Sequence, residues 1–167
     1  PASEKLVRAA LREDLTSKMF GPAMKLGQMV RPLLPGALKH KVPPRDTSAR
    51  AHQWPTRTHA RKVLMLTGCV QPAMMPNINS ATARVLDAAG IQTLVADGAG
   101  CCGAIRTHLN DHEGGLADMR RNIDAWWPLV SRGEVEALVM NASGCGVTVK
   151  EYGHALQHDP DYAERAR

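Results

Sequence analysis

Aromatic residues, long apolar runs and the usual catalytic motifs are scarce or missing in this sequence. Phe, Trp and Tyr make up 4% of the 167 residues, and Ala, Gly and Met carry much of the apolar content. No apolar run approaches the roughly 20 residues that a membrane-spanning helix needs. We find no nucleophile–base pair, no phosphate-binding loop and no nucleic-acid-binding motif, so the sequence lacks the usual signals of covalent catalysis, nucleotide binding and nucleic-acid binding.

Cysteine is also sparse, and its positions are the most informative in the chain. The four cysteines are Cys69, Cys101, Cys102 and Cys145. An even number permits a disulfide framework, but such scaffolds are usually small and rich in loops. The surrounding sequence has the pattern of regular structure with its own core, which favours a thiolate site in a cytosolic protein. The alternative is that the cysteines pack as small buried apolar residues.

The positive charge is confined to the first third of the chain. Residues 1–61 hold 12 Lys or Arg against 4 Asp or Glu, whereas residues 62–167 hold 9 against 12. The net charge of +5 therefore does not indicate a nucleic-acid partner. Residues 24–41 mix Met and Leu with Lys and Arg, which is typical of a solvated inter-domain helix, of a contact with an acidic neighbour or of a segment on an anionic membrane surface. We favour the first two over the membrane surface.

Three parts follow one another along the sequence. We predict a helical segment at 1–35, a Pro-rich linker without periodicity at 36–60 and a folded domain at 61–167. Because the sequence begins at Pro1 and stops within a helical pattern, we expect it to be an excerpt of a longer protein.

The helical segment is predicted to form two helices, at 3–19 and within 21–36. Ser3 is the expected N-cap of the first helix, and the two prolines at 32 and 35 end the second. The residues expected to face inward are Leu6, Ala9, Ala10, Leu15, Met24, Leu26, Met29 and Val30.

Strand and helix patterns alternate in the folded domain. Strands are predicted at 62–67, 91–97 and 135–141. Helices are predicted at 77–90, capped by Asn77 or Asn79, at 108–133, stopped by Pro128 and Gly133, and at 144–157. This order predicts an α/β fold, a three-layer β-α-β-α-β-α unit with a short parallel sheet and right-handed crossovers.

Every cysteine lies just after a predicted strand. The carboxyl ends of parallel strands open on one edge of a sheet, so this placement brings the four thiols to one rim. The helices that follow direct their N-termini at that rim, which favours thiolate over thiol. Thiolate clusters select zinc or iron–sulfur centres. The glycines that allow close backbone approach to such a centre are Gly68, Gly100, Gly103, Gly144 and Gly146.

Three motifs resemble a known family. "GCVQP", "GCCGA" and "ASGCGVTVKEYG", in this order and spacing, are similar to the CCG cysteine-rich domain of heterodisulfide reductase B subunits, anaerobic glycerol-3-phosphate dehydrogenase C subunits and lactate-utilisation proteins. "NSATARVLDAAGI", "AGCCGAIRTHLNDHEGGL" and "RNIDAWWPLV" resemble the iron–sulfur subunits of bacterial glycolate oxidases (glycolate dehydrogenases) more closely.

The resemblance implies a set of functional expectations. Such subunits carry two [4Fe–4S] clusters in a ferredoxin-like part, followed by two CCG repeats; residues 61–167 would be the first repeat, incomplete here, and no ferredoxin cysteine run is present. The family passes electrons from flavin-binding glycolate oxidase subunits, which hold FAD, toward a quinone. The implied location is cytoplasmic or peripheral on the inner face of the bacterial membrane. The implied ligands of a [4Fe–4S] cluster, with zinc as the alternative, are Cys69, Cys101, Cys102 and Cys145.

One position departs from the family pattern. The family motif ends in C-x-x-C, and here Ala142 takes the place of its first cysteine. The cluster of the heterodisulfide reductase type draws on more thiolates than the four present. A four-thiolate [4Fe–4S] site, a structural zinc site and a site completed by the second repeat all stay open.

Other polar and aromatic residues have simpler interpretations. We expect Trp126 or Trp127 to pack in the core, with a quinone or subunit contact as the alternative. We expect solvated helix faces rather than metal ligands or catalytic acids for two histidine pairs and three carboxylates: His108 and His112, His154 and His158, and Asp111, Glu113 and Asp118.

Two other functions remain open at this point. One is a docking module without redox activity, held by zinc or by no metal, whose surface binds flavin subunits. The other is a thiol-based enzyme that acts on disulfides and needs a reactive pair at Cys101 and Cys102. Unchanged turnover after alkylation of Cys101 or Cys102 would contradict the hypothesis of a thiol-based enzyme.

Overall fold

The computed structural model describes residues 2–17, 19–46 and 49–167, with side chains from Glu4 onward. The predicted N-cap role of Ser3 therefore lies outside the described side chains. Among the described residues, no helix combines the length and the apolar character needed to cross a bilayer.

Three short parallel strands form the centre of the domain. They are β1 (Arg61–Met65), β2 (Ile91–Leu94) and β3 (Ala137–Val139), in the order β2-β1-β3. Leu64 of β1 lies opposite Leu94 on one side and Leu138 on the other. This sheet confirms the predicted α/β fold with parallel strands, each shorter than its apolar run suggested.

Helices connect and flank the strands. Before the sheet lie α1 (Ala2–Thr16), α2 (Phe20–Val30), a 3₁₀ turn (Arg31–Leu33) and α3 (Gly36–Lys39). Between β1 and β2 lie α4 (Gln71–Met74) and α5 (Pro76–Ala88), and between β2 and β3 lie α6 (Ala104–His108) and α7 (His112–Val130). After β3 come α8 (Ser143–Lys150) and α9 (Tyr152–Ala155).

The main core lies on one face of the sheet. Leu64 of β1 packs there with Ile123 and Trp126 of α7 and with Tyr152 of α9. Its neighbours Val63 and Met65 are also buried but lie outside this cluster, since successive residues of a strand point to opposite faces. The burial of Trp126 confirms the prediction that one of the two tryptophans packs in the core.

The predicted helix at 108–133 begins later, at His112, and the separate short helix α6 precedes it. Asn110 has a left-handed backbone, with φ at 63°, and breaks the helical path between α6 and α7. Asp111 then caps α7, because its Oδ1 accepts a hydrogen bond from the Gly114 N–H at 3.1 Å. Pro128 lies inside α7 rather than ending it, and the helix continues to Val130.

The start of α5 also differs from the prediction. Neither Asn77 nor Asn79 caps it, because Pro76 already occupies the first turn and Met75 precedes it without a side-chain cap. Asn79 is instead buried and makes hydrogen bonds inside the domain.

The helical segment forms the two predicted helices, but the faces that pack against the fold differ from the predicted ones. Leu6, Leu26 and Met29, expected to face inward, are exposed, as is Ala10. Phe20 is the buried residue of α2, and a Cβ on Gly21 would lie 3.7 Å from the Ala73 Cβ of α4. Helical spacing reveals that a helix has a stripe of apolar residues, but contact with the rest of the fold decides which face is covered.

The segment predicted as a linker contains one helical turn, α3, and then an extended stretch along α5. The Ala49 carbonyl accepts a hydrogen bond from the Asn77 N–H at 3.2 Å, and the His52 N–H donates to Ser80 Oγ at 3.0 Å. Further along, His59 Nε2 lies 2.8 Å from Asp87 Oδ1. The described end of this stretch is thus fixed to the domain.

Gly103 sets the close approach of α6 to α7 and generates a stability prediction. Its φ is +94°, and a Cβ there would lie 2.7 Å from the Gly115 carbonyl oxygen. We expect Gly103→Ala to lower the free energy of unfolding by about 1–3 kcal/mol, because both the backbone angle and the clash oppose a side chain. Urea unfolding under reducing conditions measures the change.

Gly144→Ala is the matched control for this substitution. A Cβ at Gly144 meets nothing within 4 Å, and Gly144 lies in the first turn of α8. We expect no loss of stability there, and an equal loss in both variants would contradict the argument from close approach.

Candidate functional site

The structure brings the four cysteines together from three loops at one edge of the sheet. Cys69 follows β1, the pair Cys101 and Cys102 follows β2, and Cys145 lies in the first turn of α8, after β3. All four are free thiols, so they do not form a disulfide framework. Thiol–thiol hydrogen bonds join them in a row, from Cys69 to Cys101, then to Cys102 and then to Cys145. These four side chains form the thiol row.

The two ends of the thiol row have opposite pKa shifts. The hydrogen bond with Cys102 lowers the pKa of Cys145 below its ordinary value, although burial opposes this. At the other end, the hydrogen bond with Cys101 and burial raise the pKa of Cys69 far above its usual range.

The two middle thiols also resist ionisation. The hydrogen bond with Cys102 is the largest cause that raises the pKa of Cys101, to about 11, and burial adds to it. The hydrogen bond with Cys101 lowers the pKa of Cys102, but Cys145 and burial together leave it raised. Four thiolates so close together require a positive centre between them.

Backbone amides point at three of the four sulfur atoms. The N–H of Val70 donates to Cys69, that of Gly103 to Cys101 and that of Ala104 to Cys102. Each of these hydrogen bonds lowers the pKa of its thiol, so the loops favour thiolates once the mutual repulsion is removed.

Two fully buried side chains hold the Cys101–Cys102 loop from inside the core. Asn122 Nδ2 donates to the Cys101 carbonyl at 2.8 Å, and its Oδ1 accepts from the Gly100 N–H at 2.8 Å. The Tyr152 hydroxyl donates to the Cys102 carbonyl at 2.9 Å and accepts from Asn122 Nδ2 at 3.0 Å. With both carbonyls bound inward, the backbone between the two cysteines has one defined orientation.

Trp126 supports this pair from the core. Its ring stacks on that of Tyr152, with the planes 15° apart and the ring centres 6.2 Å apart. The position of the Cys102 carbonyl therefore depends on the packing of α7 against α9.

A second polar group joins the loops after β1 and β3. Asn141 Nδ2 donates to Asn79 Oδ1 at 2.8 Å and to Thr82 Oγ1 at 3.0 Å, and Gln71 Nε2 donates to the same Asn79 oxygen at 2.8 Å. Asn79 Nδ2 in turn donates to the Thr67 carbonyl at 3.1 Å. These contacts fix the backbone just before Cys69 and just before α8.

Two cavities border the thiol row. One, of about 430 Å³, is mostly apolar and is lined by Cys69, Cys102 and Cys145, with Ala142 and Asn141 on its wall. The other, of about 510 Å³, is lined by Cys69 and Cys101 together with polar residues of α1 and α2 and with Arg121 of α7. Both volumes are in the range of ligand sites, about 300–1,000 Å³.

Ion pairs fix α1 beside the second cavity. Arg106 of α6 lies 3.2 Å from Glu13 of α1 and 3.0 Å from Asp111. Arg12 of α1 lies 3.4 Å from the same Asp111 carboxylate. The helical segment thus closes one side of the thiol row.

The donor set fits an iron–sulfur cluster better than a single metal ion. Four thiolates are the usual ligands of a [4Fe–4S] cluster, one for each iron. Within the described part of the chain, no three His, Cys, Asp or Glu side chains surround a point where one ion could bind.

The other predicted polar residues do not line the two cavities beside the thiol row. His108 and His112 are on separate helices and are exposed, as are His154 and His158. The prediction for Asp118 was wrong: it is buried, and its Oδ1 accepts a hydrogen bond from Arg121 at 2.7 Å. Asp118 lies on the face of α7 that packs inward, next to Met119.

A comparison with known families gives the chain its classification. Residues 63–150 match the family described as "CCG: Cysteine-rich domain", and this range contains all four cysteines. The chain belongs to the CCG cysteine-rich domain family.

Several curated proteins are similar to the CCG domain and its flanking residues. The "Glycolate oxidase iron-sulfur subunit" of Escherichia coli K12 is 46% identical over the whole of this chain and 40% of the relative. The "Probable glycolate oxidase iron-sulfur subunit" of Bacillus subtilis 168 is 34% identical over 64% of this chain and 23% of the relative. "Lactate utilization protein A" of Bacillus velezensis is 27% identical over 64% of the chain and 42% of the relative. The chain thus spans less than half the length of these relatives, and no solved structure was found to match it.

Sequence reasoning found the thiols but missed the groups that hold them. Asn122 lies among charged residues, and its only signal is its spacing from Met119 and Trp126 on the buried face of α7. Tyr152 belongs to a family motif, but nothing in the sequence shows that its hydroxyl reaches the Cys102 carbonyl.

Tyr152 allows a direct test of how the CCG domain holds its cysteine loop. We expect Tyr152→Phe to lower the free energy of unfolding by about 1–3 kcal/mol, because it leaves the buried Cys102 carbonyl without its donor. Chemical denaturation of the reduced protein measures this.

The other tyrosine provides the control. Tyr162 donates its hydroxyl to Asp124 Oδ2 at 2.7 Å on the exposed side of the domain. We expect Tyr162→Phe to change stability by less than about 0.5 kcal/mol. Equal losses from the two variants would show that the buried hydrogen bond has no special role.

Proposed function

We propose that the thiol row binds a [4Fe–4S] cluster and that this CCG domain is part of the iron–sulfur electron-transfer subunit of a glycolate oxidase (glycolate dehydrogenase) complex. The observation that carries the proposal is the convergence of four free thiols from three strand ends within a CCG domain. The name of the Escherichia coli relative, which is similar along the whole chain, supports the assignment.

Each cysteine has a structural reason to act as a ligand. Cys101 and Cys102 are buried, and their carbonyls are bound inward, so that their backbone is held in place. Cys69 and Cys145 are half-buried at the two ends of the thiol row and border the cavities. A cluster bound here would supply one-electron redox chemistry, and the amides of Val70, Gly103 and Ala104 would tune its potential.

The remaining parts of the proposal concern the whole protein. The subunit takes electrons from flavin-binding subunits that hold FAD and oxidise glycolate, and it passes them toward a quinone. It acts in the cytoplasm, peripherally on the inner face of the bacterial membrane. Residues 61–167 form the first of two CCG repeats, and residues 1–35 and 36–60 connect it to the part of the protein that precedes it.

Metal and sulfide analysis of anaerobically purified protein tests the cluster. We expect Cys102→Ser and Cys145→Ser each to lose up to about four iron and four acid-labile sulfide per chain, because a ligand of the cluster is removed. The EPR signal of the reduced cluster should decrease with them.

A substitution on the wall of the same cavity serves as the control. Met75 lines the apolar cavity but carries no thiolate, so Met75→Leu should keep the full iron and sulfide content. Stoichiometric zinc without sulfide in the folded protein would contradict the proposal and support the docking module instead.

A further inference from the structure

An exposed apolar stripe runs from the residue before α2, along the helix and into the 3₁₀ turn after it, on the side opposite the contacts of α2 with the fold. Met19, Leu26, Met29 and Leu33 are 65%, 61%, 75% and 86% exposed. They are separated by seven, three and four positions, which places them on one side of a helix. These four residues form the apolar stripe.

The other side of α2 is fixed to the fold. Phe20 is buried, and a Cβ on Gly27 would lie 3.6 Å from Val42. Just after α2, Arg31 Nε donates to the Val42 carbonyl at 2.9 Å. These contacts hold the helix in one orientation and leave the apolar stripe facing outward.

Between Asp14 and Asp46, the stretch of chain that carries the apolar stripe has only positive charges. Residues 15–45 contain six Lys or Arg and no Asp or Glu. Of these, Lys25, Lys41 and Arg45 are exposed. The neighbouring helix α1 also exposes apolar residues, but it carries Glu4, Glu13 and Asp14 as well. Compared with α1, α2 and the residues after it thus combine exposed Met and Leu side chains with positive charge alone.

We propose that the apolar stripe is the surface through which this protein contacts an anionic lipid bilayer. The proposal rests on the membrane location in the proposed function and names the surface responsible. Leucine and methionine side chains of a helix lying in the plane of the interface enter the boundary between head groups and acyl chains. Lysine and arginine beside them attract anionic head groups, and this attraction does not require a regular spacing of the charges. The cations here are spread over both the helix and the irregular chain that follows.

Vesicle binding by the full-length protein, purified with its partner subunits, tests the proposal. We expect binding to phosphatidylcholine vesicles that contain phosphatidylglycerol, and little binding to phosphatidylcholine alone. The triple variant Leu26→Gln, Met29→Gln, Leu33→Gln should bind at least about tenfold more weakly, because it removes the inserted apolar surface. Lys41→Gln and Arg45→Gln should each weaken binding about fivefold at low salt.

Two single variants control for the loss of any exposed apolar residue. Val85 on α5 is 70% exposed and Leu6 on α1 is 71% exposed. Val85→Gln and Leu6→Gln should leave vesicle binding unchanged. If they weaken it as much as the triple variant does, the binding is not specific to the apolar stripe and the proposal is wrong.

Two further outcomes would overturn the proposal. One is equal vesicle binding by the triple variant and the unmodified protein, or no binding by either. The other is that the triple variant keeps its vesicle binding but loses its partner subunits in size-exclusion chromatography, which would identify the apolar stripe as a protein interface.

Measurements on the same samples separate this proposal from the proposed function. Iron and sulfide content and glycolate-dependent reduction of a soluble dye report on the cluster and on the complex. If the triple variant retains both and binds vesicles weakly, the lipid contact is supported. If iron and sulfide are absent from the unmodified protein while vesicle binding persists, the cluster assignment fails and the lipid contact stands.

Discussion

Repulsion between closely spaced thiolates is the constraint on which this site depends. Four sulfur atoms in a row cannot all carry charge in a half-buried environment, and their pKa values accordingly separate, with that of Cys145 lowered and those of Cys69, Cys101 and Cys102 raised. A cationic centre reverses this balance, because each thiolate then gains an attraction in place of a repulsion. The backbone amides beside Cys69, Cys101 and Cys102 reduce the remaining cost of holding charge there.

Holding the sulfurs close together places demands on the surrounding structure. The sheet brings three loops to one edge, but adjacent cysteines can point in many directions unless their backbone is fixed. Asn122 and Tyr152 fix it by binding the two carbonyls from within the core. Because both side chains are buried and bonded to each other, neither can move without exposing an unpaired polar group. The geometry of the site is thus tied to the packing of α7 and α9, the same packing that stabilises the domain.

The sequence predicts the strands and the shared edge with the cysteines better than it predicts the helix boundaries and the side chains that support the site. Three apolar runs predict the strands, and cysteines after each run predict a shared edge, because both signals are local. The break at Asn110 was missed, since a left-handed residue followed by an Asp cap interrupts the chain without any change in helical periodicity. The inward faces of α1 and α2 were assigned wrongly, because periodicity cannot show which side of a helix meets the fold. Asn122, Asn141 and Tyr152 were missed for a related reason: their partners are distant in sequence.

Ala142 shows how the surroundings of Cys145 differ from those of Cys101. The Cys101 carbonyl is bound by a core side chain, and ion pairs dock α1 beside the cavity that Cys101 borders, so the geometry there is fixed from several directions. The Cys145 end borders the apolar cavity, and Ala142 contributes only a methyl group to its wall. The backbone there is held instead by Asn141, whose amide binds Asn79 and Thr82 of α5. A chain that lacks a fifth thiolate at this corner therefore keeps the loop in place through amide hydrogen bonds, which position Cys145 without adding negative charge to an already crowded row.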